Sequence, residues 1–336
     1  MWPGQLMNHK DHSLTFVVPP PASFHSGGNL YNAFLIEALK EEGVACSLTE
    51  PEKLTTGNKG TVFWDSLFLG RLEYLDSSAS NWLIVHHLES LYPPEGFSSA
   101  QWFEQEERRL LEQFDGFLVS SPFTAAYLRG KNLGDQDILV IEPALLFELE
   151  TPKRQVKSIR ALMVANLQER KGIFPFLEAL AVHEPGFDFS LTIAGSAAME
   201  PGYAKKCMDF MESEPNLGGK VFYEGAKTPQ EIRALYWEAN LFISTAFMET
   251  YVMALQEAAA TGLPLLVMKG GNAGNHVIEG QNGLVFETIP QLVQELNVLA
   301  KDLKKLSWLG ENAARLAKNN HYSWKDAAKL LINHLK

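Results

Sequence analysis

The run Phe247-Met248-Glu249-Thr250-Tyr251-Val252-Met253-Ala254-Leu255-Gln256-Glu257-Ala258-Ala259-Ala260-Thr261-Gly262-Leu263-Pro264 decides how this chain is read. Two carboxylates stand eight residues apart, with no charge between them. The Ala-rich segment predicts a helix that stops at Gly262, a natural C-cap, with Pro264 forbidding continuation. Upstream, Asn240-Leu241-Phe242-Ile243-Ser244-Thr245 reads as an apolar strand ending in small hydroxyl residues. The unit is therefore strand, short loop, helix start, with Glu249 in the loop and Glu257 about two turns inside the helix. A helix start after Thr250 offers backbone N–H groups and a positive dipole end, which suit a phosphate. A carboxylate on each side can accept hydrogen bonds from sugar hydroxyls. The plain alternative is an amphipathic helix with two solvated glutamates.

Working outward, 336 residues are too many for one ordinary core and suit two domains of roughly 150 residues. Hydrophobic content of 46% and charged content of 21% are those of a soluble globular protein. No uncharged apolar run approaches the roughly 18–20 residues that span a bilayer. The first twelve residues lack the apolar centre of a signal peptide. Cys46 and Cys207 fall in different halves, which argues against a stabilising disulfide and suits a reducing cytoplasm. The net charge of −11 is uneven: residues 1–150 carry 9 Lys and Arg against 21 Asp and Glu. So acidic a first half disfavours nucleic acid and anionic membrane as direct partners.

Both halves alternate short apolar runs with helical stretches, the pattern of parallel sheets built from βαβ units. The first half predicts strands at 14–18, 44–48, 61–64, 82–85, 116–119 and 138–141, with a charged surface helix over 102–114. The second predicts strands at 158–164, 190–193, 220–223, 241–244 and 265–267. A polar, Pro-containing stretch at 148–155 reads as an interdomain linker. A last helix at 324–335 follows a break near Asn319-Asn320. The domain boundaries are 1–150, 156–318 and a tail, 319–336.

The Glu249–Glu257 segment resembles the Glu-x7-Glu signature of retaining glycosyltransferases of family 4. The resemblance extends through Met163-Val164-Ala165-Asn166-Leu167-Gln168-Glu169-Arg170-Lys171-Gly172, Leu191-Thr192-Ile193-Ala194-Gly195-Ser196, Val221-Phe222-Tyr223-Glu224-Gly225 and Gly280-Gln281-Asn282-Gly283-Leu284-Val285-Phe286. It implies an α/β, GT-B fold: two Rossmann-like domains facing across a cleft, with the C-terminal helix crossing back to the first. It also implies a donor site that includes Gly195 and Gly225. Glu249 would contact the donor sugar, the amides of Thr250, Tyr251 and Val252 sugar and phosphate, and Glu257 the ribose. Lys171, with Arg170 beside it, would meet the diphosphate. Two departures stand out. Asn166 replaces the family's arginine, and Val252 replaces a glycine, at a cost if φ there is positive.

In the first half, Gly27-Gly28 precedes a helix and permits close backbone approach to a ligand; the plain alternative is a flexible turn. It is not the Gly-x-Gly-x-x-Gly fingerprint of NAD-binding folds. His86 and His87 end the strand at 82–85, where α/β folds bind ligands, and point to opposite sides. The resemblance favours His86 as the contact to donor sugar and acceptor. Asp135-Gln136-Asp137 matches the Asp-x-Asp string of metal-dependent transferases but reads as a solvated turn. His9, Asp11 and His12 read as part of a disordered terminus. No metal site is expected.

The expected function is retaining, metal-independent sugar transfer from a UDP- or GDP-sugar, with no further cofactor. The acceptor, whether saccharide, glycolipid or small molecule, is not legible. A nucleotide-sugar-binding protein without transferase activity and a sugar-nucleotide epimerase of the same fold are the alternatives.

Overall fold

A computed structural model describes residues 13–20, 26–54, 60–72, 75–146, 152, 154, 156–182, 188–317 and 322–336. The chain divides into two compact units, Met1–Ala144 with Tyr322–Lys336, and Leu145–His321.

The first unit is a six-stranded sheet of β1 (Ser13–Val17), β2 (Ala45–Thr49), β3 (Thr61–Asp65), β4 (Ser80–Val85), β5 (Gly116–Val119) and β6 (Asp137–Val140). All pairings are parallel, in the order β2-β1-β3-β4-β5-β6. Because both faces are covered, β5 and the Trp82–Val85 part of β4 are continuous apolar runs rather than alternating ones. On one face Phe16, Phe63, Trp82 and Ile84 pack with Tyr31, Leu35 and Leu39 of the helix Gly27–Glu41. Ala327, Ala328 and Leu331 of the C-terminal helix Trp324–His334 complete that core. The first helix is capped by Ser26 Oγ, which accepts from the Asn29 N–H. Beyond its last turn the chain passes through Gly43 at φ +85°.

One expectation fails in this unit. The segment read as a single surface helix over 102–114 is three pieces: Ser99–Trp102, a π-helical turn Phe103–Glu107, and Arg108–Leu111. Its charged face does not all meet water. Glu107 is buried, accepts from the Ser90 N–H at 2.9 Å and takes the Ser90 hydroxyl on its other oxygen.

The second unit is another parallel six-stranded sheet: β7 (Ile159–Val164), β8 (Phe189–Ala194), β9 (Val221–Tyr223), β10 (Leu241–Ser244), β11 (Leu265–Met268) and β12 (Gly283–Phe286). The order is β12-β11-β10-β7-β8-β9. Strand β12 was not expected, since Gly283 is a poor strand former. It is required there, because a Cβ would lie 2.2 Å from the Leu265 carbonyl oxygen. Arg154, assigned by sequence to a linker, is structural. Its guanidinium donates to the carbonyls of Tyr236, Ala239 and Thr261 at 2.7–2.8 Å. Two of those residues end helices, where carbonyl oxygens lack helical partners. Among the described residues no helix is long and apolar enough to cross a membrane.

Candidate functional site

In open α/β sheets, ligands bind beyond the carboxyl ends of the strands where the strand order reverses. In the second unit that point lies between β7 and β10. The loop after β7 contains the short helical turn Glu169–Lys171, and the loop after β10 contains Glu249. The two loops are sewn together. Phe247 N–H donates to Arg170 O at 2.8 Å, and Thr245 Oγ1 donates to Lys171 O at 2.7 Å. Gly172, at φ +64°, permits this approach, since a Cβ there would lie 2.3 Å from Thr245 O.

This framework delivers three charges to one place. Lys171 Nζ donates to Glu249 Oε1, and Arg170 Nη1 lies 3.6 Å from Glu249 Oε2. Glu249 is only 6% exposed. Burial pushes the Lys171 pKa down, the Glu249 carboxylate opposes that shift, and Arg170 adds to it. One buried carboxylate between two cations leaves a net positive cluster.

The helix following Glu249 runs Met253–Ala260, two residues later than the expected start after Thr250. Its N-cap, Val252, has φ −128°. The expected backbone cost of valine at this position therefore does not arise. Glu257 is the fifth helical residue, about one turn in rather than two, and is buried. Burial pushes its pKa up to about 7, opposed by the hydrogen bond that Tyr236 Oη–H donates to Oε2 at 2.9 Å.

Gly195 and Gly225 follow β8 and β9 and meet directly, Gly195 N–H donating to Gly225 O at 2.9 Å. A Cβ on Gly195 would lie 2.0 Å from Ala165 O, so only glycine fits. Asn166 is built into the same turn, its Oδ1 accepting from Ser196 N–H at 2.9 Å.

After β11 the chain passes Gly270 and Gly271 (φ +58°) into the short turn Ala273–His276. The His276 ring stands at 85° to Tyr251, with centroids 4.9 Å apart. Burial pushes its pKa down to about 4, with Glu249 opposing. Sequence reasoning missed His276. Its one signal was a histidine shortly after a Gly-Gly pair that follows a buried strand.

In the first unit the order reverses at β1 and β3. Gly27 and Gly28 are the first two residues of a helix rather than a loop before it. Residues 21–25, the rest of that segment, lie outside the described residues. A Cβ on Gly28 would lie 2.9 Å from the His86 ring, so the glycine makes room for the histidine. His86 follows β4 and belongs to a buried chain. Asn32 Nδ2 donates to Asp65 Oδ2 at 2.7 Å, which turns Asn32 Oδ1 toward His86 Nε2, 2.9 Å away. An amide oxygen accepts only, so His86 carries its proton on Nε2 and the lone pair on Nδ1. Burial lowers the His86 pKa, with Asp65 opposing. His87 lies beside it, its N–H donating to Ser66 Oγ at 3.3 Å. Asn32 and Asp65 were also missed; an Asp at a strand's C-terminal end was the available signal.

The other candidates do not converge on either place. Asp137 Oδ2 pairs with His334 Nε2 of the C-terminal helix at 2.7 Å. His9, Asp11 and His12 lie outside the described residues. Among the described residues no three His, Cys, Asp or Glu side chains form a metal-ligand set.

Comparison with known proteins bears on the family and the fold. Residues 148–320 match the model of the family described as glycosyl transferases group 1. The chain is similar to a D-inositol 3-phosphate glycosyltransferase of Corynebacterium urealyticum, 24% identical over 275 residues. That alignment covers 75% of this chain and 64% of the relative, so the chain spans less than two thirds of its length. Among solved structures, sucrose-phosphate synthase from Thermosynechococcus elongatus superposes with a TM-score of 0.78 at 17% identity, covering 96% of this chain and 98% of that one. Anabaena HepE, in complex with UDP-glucose, gives 0.74 at 16%, covering 96% and 99%. Both share the GT-B fold of two parallel sheets.

Proposed function

The chain belongs to the glycosyl transferases group 1 family, and from that premise we propose that it is a retaining, metal-independent glycosyltransferase of family 4 acting on a UDP- or GDP-sugar. The observation that carries this reading is the buried Glu249 held between Lys171 and Arg170 at the switch point of the second sheet. A diphosphate leaving group gathers negative charge as the glycosidic bond breaks. Fixed cations in a buried site stabilise that charge more than they stabilise the ground state. Lys171 and Arg170 are assigned this role, which gives the site positive charge without a metal.

Glu249 orients the donor sugar, and Glu257 accepts from the ribose hydroxyls. The amides of Thr250, Tyr251 and Val252, and the tight turns at Gly195 and Gly225, line the donor's path. Gly27 and Gly28 give the first unit a helix start that suits phosphate, and His86 contacts donor sugar and acceptor. The acceptor is a saccharide, glycolipid or small molecule.

A nucleotide-sugar-binding protein without transfer activity is the second reading, favoured by Asn166 standing where the family has arginine. Arg170, 3.6 Å from Glu249, supplies a second cation and tips the balance toward transfer.

Calorimetric titration with UDP and GDP, in EDTA and in Mg²⁺, tests the proposal. Binding of one diphosphate in EDTA, with slow hydrolysis of the matching sugar nucleotide, is expected. Strict metal dependence with both nucleotides would overturn metal independence. Tight sugar-nucleotide binding with neither hydrolysis nor transfer would favour the binding-protein reading.

A further inference from the structure

His276 is held from several sides. Its loop is fixed to the Glu249 backbone, where Asn272 N–H donates to Glu249 O at 2.6 Å. Gly271 makes that approach possible, since a Cβ there would lie 2.1 Å from the same oxygen. The carbonyl of His276 accepts from Asn282 Nδ2 at 3.0 Å, and its ring packs edge-to-face with Tyr251. Yet Nε2, shielded from solvent, has no hydrogen-bond partner among the described residues. A covered polar nitrogen without a partner costs free energy. The fold tolerates that cost on a loop bonded to the backbone of Glu249, the residue assigned to the donor sugar.

We infer that His276 Nε2 recognises a hydroxyl of the donor's sugar, alongside Glu249. The inference rests on the donor-binding reading above and adds to it a specificity-determining residue. The ring's chemistry selects the sugar over the diphosphate. Burial keeps the imidazole neutral, with its pKa pushed down to about 4, so it brings no charge to a phosphate. Lys171 and Arg170 already supply charge. A neutral ring nitrogen either donates or accepts one hydrogen bond, and a hydroxyl complements both tautomers.

The test compares UDP with UDP-glucose, and GDP with GDP-mannose, on the full chain by calorimetry. Wild type, His276→Phe and His276→Gln are measured in parallel. In His276→Phe, affinity for the bare diphosphate should stay within about twofold, while affinity for the sugar nucleotide should fall roughly tenfold, the size of one hydrogen bond. His276→Gln, which keeps a polar atom, should recover part of that loss. If His276→Phe does not fold, ¹⁵N NMR of the wild-type imidazole decides: its Nε2 resonance should move with the sugar nucleotide and not with the diphosphate. Unchanged sugar-nucleotide affinity, or a resonance insensitive to the sugar, overturns the role of His276 and leaves the donor site standing. Failure of the wild type to bind any of the four nucleotides removes the donor reading itself, and this inference with it.

Discussion

Lys171 Nζ donates to the carboxylate of Glu249 across 78 residues of sequence, joining the loop after β7 to the loop after β10. The pair is largely buried, and Arg170 Nη1 lies 3.6 Å from the same carboxylate. Removing one member of such a pair leaves an uncompensated charge, at about 3–5 kcal/mol. Glu249→Gln should therefore lower the melting temperature, because Lys171 and Arg170 then face each other without a counter-ion. A diphosphate can replace the lost negative charge. Added UDP or GDP should raise the melting temperature of Glu249→Gln by more than it raises that of wild type. Equal shifts in the two proteins would show that the diphosphate does not meet these cations.

Lys171→Ala should cost turnover more than affinity, because charge on the diphosphate grows as the bond breaks. By analogy with loss of one oxyanion-hole donor, kcat should fall by about 10²–10³. Donor Kd from calorimetry and kcat from donor hydrolysis separate the two effects. A variant losing affinity and keeping kcat would mark Lys171 as a binding residue only.

Glu257 answers to pH with a defined sign. Its folded pKa of about 7 lies above the ordinary carboxylate value of 4.5, with burial as the main cause. The folded state thus holds a proton that the unfolded state gives up, so this residue favours folding below pH 4.5 and loses that contribution as pH rises through about 7. Ligand binding runs the other way, since only the carboxylate accepts from both ribose hydroxyls. Affinity for UDP or GDP should rise between pH 5.5 and 8, and Glu257→Gln should flatten the rise. At pH 8 the same variant should bind about 10–150-fold more weakly, from about 1.5–3 kcal/mol for hydrogen bonds to a charged group. A Glu257→Gln protein with unchanged affinity and pH profile would separate Glu257 from the ribose.

The sheets were legible because parallel strands buried on both faces leave continuous apolar runs, as in β5 and β10. Strand β12 escaped because Gly283 weakens its signal while answering to a clash with Leu265 that sequence does not display. The π-helical turn escaped for a similar reason: Glu107 looks solvated until Ser90 is seen to bond it. Of the residues assigned to the candidate site, Glu249, Glu257 and Lys171 stand out in the sequence by spacing and motif. Asn32, Asp65 and His276 do not, since each acquires meaning only from a partner distant in sequence. The concern over Val252 disappeared because its φ is negative, a property of the loop rather than of the residue type.

Gly28 and His86 provide the last prediction. In the first turn of a helix, replacing glycine by alanine ordinarily stabilises, by about 0.5–1 kcal/mol. Here the new Cβ would lie 2.9 Å from two atoms of the His86 ring. The helix backbone is fixed by its own hydrogen bonds and by the core beneath it, so the ring must give way. Moving it breaks the hydrogen bond between Nε2 and Asn32, and with it the arrangement that places the lone pair on Nδ1. Gly28→Ala should therefore fail to show the usual stabilisation, and donor hydrolysis or transfer should fall toward the level of His86→Ala. Affinity for UDP or GDP should change little in His86→Ala, because that side chain is assigned to the donor sugar and acceptor, while Lys171 and Glu257, assigned to the nucleotide, belong to the second unit. A Gly28→Ala protein with a raised melting temperature and wild-type turnover would show that the position of His86 does not matter to the reaction.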